Sequence, residues 1–130
     1  MALAWCFDDE AIPFTEAVLD LMVRGVTARV PAIWPLEVSN AILSAERKKR
    51  TNTAQSTAFL RRIREFSISV EHSPTALAFD QILSLARQQS LTVYDASYLE
   101  LAVRESLPLA TLDANLRRAA GVVGVNLLEK

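Results

Sequence analysis

Helical segments alternate with short strand-like tracts along the 130-residue chain, and that alternation admits few architectures. Pro13 opens a helical pattern over 13–24, in which Val18, Leu19, Leu21, Met22 and Val23 are apolar among Glu16, Asp20 and Arg24. Gly25 just beyond it reads as a C-terminal stop. The tract 28–33 is partly β-branched and carries Pro31, so it reads as a brief strand running into a loop. Pro35 suits the first turn of a helix over 36–49, where the amide hydrogen that proline lacks would have no helical acceptor. Thr53 is placed to cap a further helix, whose buried side draws on Ala54, Ala58, Leu60, Ile63 and Phe66.

Beyond it, Ile68 and Val70 alternate with polar residues and mark a strand over 67–71. Ser73-Pro74 then opens a helix that reaches Gln89. A strand over 91–94, a helix over 96–105, a strand over 109–112 and a short helix over 114–120 follow, and 122–128 can close the sheet. Parallel strands need crossover connections of a dozen residues or more, which helices of this length supply. The expected class is therefore α/β, with a central parallel sheet flanked by helices in three layers. No linker, repeat or low-complexity tract divides the sequence, so 1–130 reads as a single domain.

Scarcity of particular residues then removes whole chemistries. Cys6 is the single cysteine, so neither an internal disulfide nor a thiolate zinc site can form, and a reducing cytoplasm fits. His72 is the single histidine, which excludes His-pair metal sites. Glycine occurs only at 25, 121 and 124, so neither GxxxxGK nor GxGxxG can be written. Fourteen basic residues against fifteen acidic ones exclude a globally basic nucleic-acid binder, although not a local basic face. No apolar run approaches the roughly 20 residues of a membrane helix, and 1–7 lacks the basic region of a secretion signal. What remains as chemical material is carboxylates, hydroxyls and arginines.

In open parallel sheets ligands gather beyond the carboxyl ends of the strands. Three acids fall there: Glu37 after the 28–33 strand, Asp95 after 91–94 and Asp113 after 109–112. Each begins a helix, so each has an ordinary role as a cap or as an acid at the positive end of the helix dipole. On one sheet edge they would instead share a pocket. Two carboxylates about 5 Å apart repel by roughly 3 kcal/mol at an effective dielectric near 20, which a divalent cation relieves. Oxygen ligands without histidine or cysteine select Mg²⁺ or Mn²⁺.

The stretches 30–41 (VPAIWPLEVSNA), 91–102 (LTVYDASYLELA) and 109–113 (LATLD), in this order and spacing, resemble the acid-bearing segments of PIN domains, especially VapC-type toxins of bacterial toxin–antitoxin pairs. The resemblance extends over nearly the whole chain, and 2–7 (ALAWCF) is similar to the family's segment just after its first strand. It implies a metal-dependent endoribonuclease with Glu37, Asp95 and Asp113 as catalytic metal ligands for Mg²⁺ or Mn²⁺. Asn40 lies one helical turn beyond Glu37, placed to orient it or to contact a phosphate. Thr111, two residues before Asp113, matches the family's supporting hydroxyl. The resemblance further implies a small antitoxin partner and a homodimer.

The family's first strand normally ends in a further aspartate, and Met1 stands just after where that motif would fall. Asp8, Asp9 and Glu10 match the loop after the family's first helix and do not replace it. Either the start is assigned too far downstream or the copy is shortened and impaired. Basic residues offer an RNA track: Arg47 and Lys48 in the 47–50 run, Arg61, Arg62 and Arg64, and Arg117 and Arg118 soon after Asp113. They also have a plain role as solvated charges that complement helix C-termini. The leading expectation is a ribonuclease toxin, the alternative a PIN-like module that binds antitoxin or RNA without cutting.

Overall fold

The computed structural model describes residues 13–72 and 74–128. The expectations for 1–12 lie outside the described residues, among them the segment 2–7, the acids at 8–10 and the first strand. The chain divides into two compact units, one holding 13–29 and 33–70 and the other 30–32, 71–72 and 74–128.

In the first unit, α1 (Pro13–Val23) buries Thr15, Val18 and Met22 and ends before Gly25, whose φ of 89° lies in the left-handed region that glycine adopts without strain. β1 (Ala28–Pro31) and β2 (Ile68–Glu71) form a small parallel sheet. The sheet starts where the Ala28 amide donates to the Ser67 carbonyl at 2.9 Å and the Thr27 and Ser67 hydroxyls meet at 2.8 Å. Between the strands, α2 (Trp34–Arg47) and α3 (Thr53–Arg64) bury Val38 and Ile42 in one cluster with Phe59 and Ile63. The buried Ser56 hydroxyl also donates to Glu46 Oε2 at 2.6 Å, a charge-assisted bond that pins the start of α3 to the end of α2.

Two expectations for α3 change. Its cap is Asn52, whose side chain accepts the Gln55 amide at 2.9 Å, and Thr53 is instead the first helical residue. Its buried side is Ser56, Phe59 and Ile63, while Ala54 and Ala58 are exposed. The larger side chains claim the inner face because an alanine methyl has little apolar area to remove from water.

The second unit is helical. α4 (Thr75–Leu77), a π-helical turn (Ala78–Ile82) and α5 (Leu83–Gln89) run without a break, followed by α6 (Val93–Glu105) and α7 (Ala114–Val123). Leu99 and Ala102 of α6 pack with Leu116, Ala119 and Ala120 of α7 and with Leu109; Leu99, Ala119 and Ala120 are wholly buried. The alanines let the two helices approach closely, and full burial of a leucine is worth about 1.5–3 kcal/mol. Ile82, Ala86 and Ala96 form a neighbouring cluster. Glu100 of α6 is buried and accepts from Arg104 Nε at 2.6 Å. That bond holds the guanidinium above its ordinary pKa, with burial acting in the opposite sense.

The strand expected over 91–94 is absent: Thr92 caps a helix that already starts at Val93. The strand over 109–112 shrinks to a single parallel bridge from Leu109 to Leu127, with Leu109 donating to Asn126 at 2.9 Å and accepting from Leu128 at 2.8 Å. The closing strand over 122–128 gives way to the last turn of α7 and its cap at Gly124, φ 80°. The described structure is thus mostly helical with a small parallel sheet, within the expected α/β class. No helix among the described residues is long and apolar enough to cross a membrane.

Candidate functional site

All three singled-out acids sit where helices begin. Glu37 lies in the first turn of α2 and is exposed, one turn before the exposed Asn40. Asp95 lies in the first turn of α6 and is half-buried. Asp113 is the N-cap of α7 and is exposed. The aspartates therefore do not follow strands as expected. Their anchorage comes from helix ends, where unpaired amides and the helix dipole favour an anion.

The capping role divides between them. At α6 Thr92 does the work, its Oγ1 accepting the Asp95 amide at 3.1 Å, so the Asp95 carboxylate is not the cap. Ser97 of the same turn donates its hydroxyl to the Tyr94 carbonyl, which further fixes the backbone beside Asp95. At α7 the Asp113 carboxylate is itself the cap: Oδ1 accepts the Leu116 amide at 3.1 Å. Its Oδ2 has no hydrogen-bond partner among the described residues.

Thr111 meets the expectation of a hydroxyl beside Asp113 through the backbone: its Oγ1 accepts the Asp113 amide at 3.1 Å. Arg117, half-buried one turn into α7, donates from Nη1 to the Thr111 carbonyl at 3.1 Å. Arg118 donates from Nη2 to the Gln89 carbonyl at 2.8 Å, which ties α7 to the end of α5, three residues ahead of the Thr92 cap. Both arginines thus spend at least one donor on a backbone carbonyl, although a guanidinium carries five and can still meet a phosphate. Arg47 ends α2 and Lys48 is its C-cap, both exposed.

Hydrogen bonds therefore bring Thr111, Asp113 and Arg117 together in the second unit, which also carries Asp95 and Arg118. Glu37, Asn40, Arg47 and Lys48 belong to the first unit. Among the described residues, no group of three or more His, Cys, Asp or Glu side chains is placed to hold a metal. The donor chemistry of the singled-out acids suits a hard divalent cation, and Asp113 keeps one carboxylate oxygen unengaged after capping its helix. The Arg117 bond has no signature in sequence, because its acceptor is a backbone carbonyl. The Thr92 cap does have one, a threonine three residues ahead of an acid at a helix start.

A family model described as PIN domain matches residues 2–122. The crystal structure of PAE2754 from Pyrobaculum aerophilum is similar in fold, with a TM-score of 0.67 at 24% sequence identity over 82% of this chain and 71% of that one. Among curated proteins, none matches.

Proposed function

Because this chain belongs to the PIN-domain family, whose members are typically metal-dependent nucleases, we propose that it is a Mg²⁺- or Mn²⁺-dependent endoribonuclease and the toxin of a type II toxin–antitoxin pair. The observation that carries this reading is that the family match over 2–122 takes in Glu37, Asp95 and Asp113, each at the start of a helix. These three carboxylates would hold the ion. When bound, the ion supplies an activated water and neutralises charge that develops on phosphorus and on the leaving oxygen.

The chain's own residues then have separable tasks. Thr92 and Thr111 fix the backbone from which Asp95 and Asp113 project, through bonds of 3.1 Å each. Asn40, one turn beyond Glu37, orients that acid or meets a phosphate oxygen. Arg117 and Arg118 add positive charge beside the Asp113 turn. Arg47 and Lys48 lie roughly 15 Å along α2 from Glu37 at 1.5 Å per residue, so their phosphates belong to nucleotides away from the cut. A cognate antitoxin, a homodimeric assembly and a cytoplasmic location complete the proposal, by likeness to the toxins of this family.

RNA cleavage followed with Mn²⁺, with Mg²⁺ and with EDTA tests it, with Asp95→Asn as the comparison. Cutting that needs the metal and disappears in a folded Asp95→Asn variant is the expected result. Cutting by Asp95→Asn at the wild-type rate would remove this residue from the mechanism. RNA bound but uncut under every condition would replace the nuclease with a binding module.

A further inference from the structure

We propose that Arg117 is a positioning residue that holds the Asp113 carboxylate in its metal-binding placement; the inference rests on the nuclease reading above. The turn 111–113 is stitched to α7 at both ends. Arg117 contributes twice, through its own amide to the Asp113 carbonyl at 3.0 Å and through Nη1 to the Thr111 carbonyl at 3.1 Å. Asp113 closes the ring with its amide on Thr111 Oγ1 and its Oδ1 on the Leu116 amide.

Of these bonds only the guanidinium–carbonyl bond uses a charged donor against the far end of the turn, and Arg117 is half-buried, so water competes less for it. Nothing apolar anchors the middle of the turn: Leu112 is 47% exposed, and the buried Leu109 lies upstream of the stitched residues. Without the guanidinium, Thr111 is restrained by its hydroxyl alone, and the backbone ahead of the cap can rotate. The cap would still hold Oδ1, while the direction of Oδ2 depends on that backbone.

Three roles for Arg117 give three different signs. A phosphate contact raises KM and flattens the salt dependence while leaving Mn²⁺ affinity alone. A bystander positive charge repels the ion, so its removal tightens Mn²⁺ binding. A positioning role loosens Mn²⁺ binding, by about 10- to 100-fold where an outer partner of a metal ligand is lost.

The experiment is calorimetric Mn²⁺ titration of the full chain, without RNA, for wild type, Arg117→Met, Arg117→Lys and Arg118→Ala, together with amide hydrogen exchange on the metal-free proteins. Arg117→Met keeps the aliphatic stem and a strong helix former, and Arg118→Ala removes the same charge from the neighbouring position without touching Thr111. Expected are an affinity loss of about 10- to 100-fold for Arg117→Met, partial recovery in Arg117→Lys, wild-type affinity in Arg118→Ala, and faster exchange at the Asp113 amide only where Thr111 loses its donor. Wild-type or tighter Mn²⁺ binding by Arg117→Met overturns the inference while the nuclease reading stands. Failure of the wild-type chain to bind Mn²⁺ overturns both.

Discussion

Asp113 carries two jobs at once, and its two conservative replacements separate them. Its Oδ1 caps α7 through the Leu116 amide at 3.1 Å, a task that an asparagine oxygen performs nearly as well. Asp113→Asn therefore loses only the negative charge at the helix N-terminus, about 0.3–1 kcal/mol. Asp113→Ala loses the charge and the acceptor, about 1–2 kcal/mol together. For 130 residues, an unfolding entropy of about 2.1 cal/mol/K per residue makes each kcal/mol worth about 4 °C in Tm. Calorimetry should then show Tm lower by about 1–4 °C for Asn and about 4–8 °C for Ala. Function should follow a different order. Mn²⁺ at 100 times its dissociation constant stabilises a native-state binder by about 2.7 kcal/mol, or about 10 °C here. Wild type should show that rise and cut RNA, and both variants should do neither. Equal destabilisation by Asn and Ala would refute the capping bond, and cutting or Mn²⁺ stabilisation retained in Asp113→Asn would refute the ligand role.

Three further outcomes follow from particular side chains. Leu99 is wholly buried between α6 and α7, so Leu99→Ala should cost about 3–5 kcal/mol, roughly 10–20 °C in Tm; a loss under about 1 kcal/mol would mean that the α6–α7 core is not packed as described. Ser90 closes α5 at φ 55°, a conformation that costs an L-residue energy and glycine none, so Ser90→Gly should raise stability by up to about 1 kcal/mol in urea unfolding; a lower midpoint would show that the hydroxyl supports the cap. If Arg47 and Lys48 each meet a phosphate, Arg47→Gln and Lys48→Gln should each reduce the slope of log binding constant against log salt by about 0.7 for single-stranded RNA, whereas an unchanged slope assigns both to the solvated end of α2.

What the sequence revealed and what it hid divide along one physical line. Helices come from interactions within a few residues, so their order was readable, and so were the stops at Gly25 and Gly124, where φ is positive. Strands exist only where a partner presents its edge, and neither 91–94 nor 109–112 contains that information. Leu91, Thr92, Val93 and Tyr94 have the composition of a strand, yet the same threonine three residues ahead of Asp95 is a helix start, and the local hydrogen bond prevails where no ladder is offered. Leu109 shows the converse: it pairs, but for one bridge only, because Leu127 alone reaches it. The choice of Phe59 over Ala54 and Ala58 for the core was hidden for the same reason, since it depends on the buried face that α2 offers.

The acids follow this rule at the level of function. That Glu37, Asp95 and Asp113 begin helices was readable, because a short polar side chain at a helix start is a local matter. How Asp113 is aimed was not readable, because it is set by a guanidinium reaching back six residues to a carbonyl oxygen. Any residue with a backbone could supply that carbonyl, so the sequence records the donor and leaves the acceptor blank. Arginines a turn after a ligand are therefore easily assigned to the substrate when their first bond is to the chain itself. Arg117 and Arg118, adjacent in sequence and bonded to carbonyls on different turns, allow that distinction to be measured within one helix.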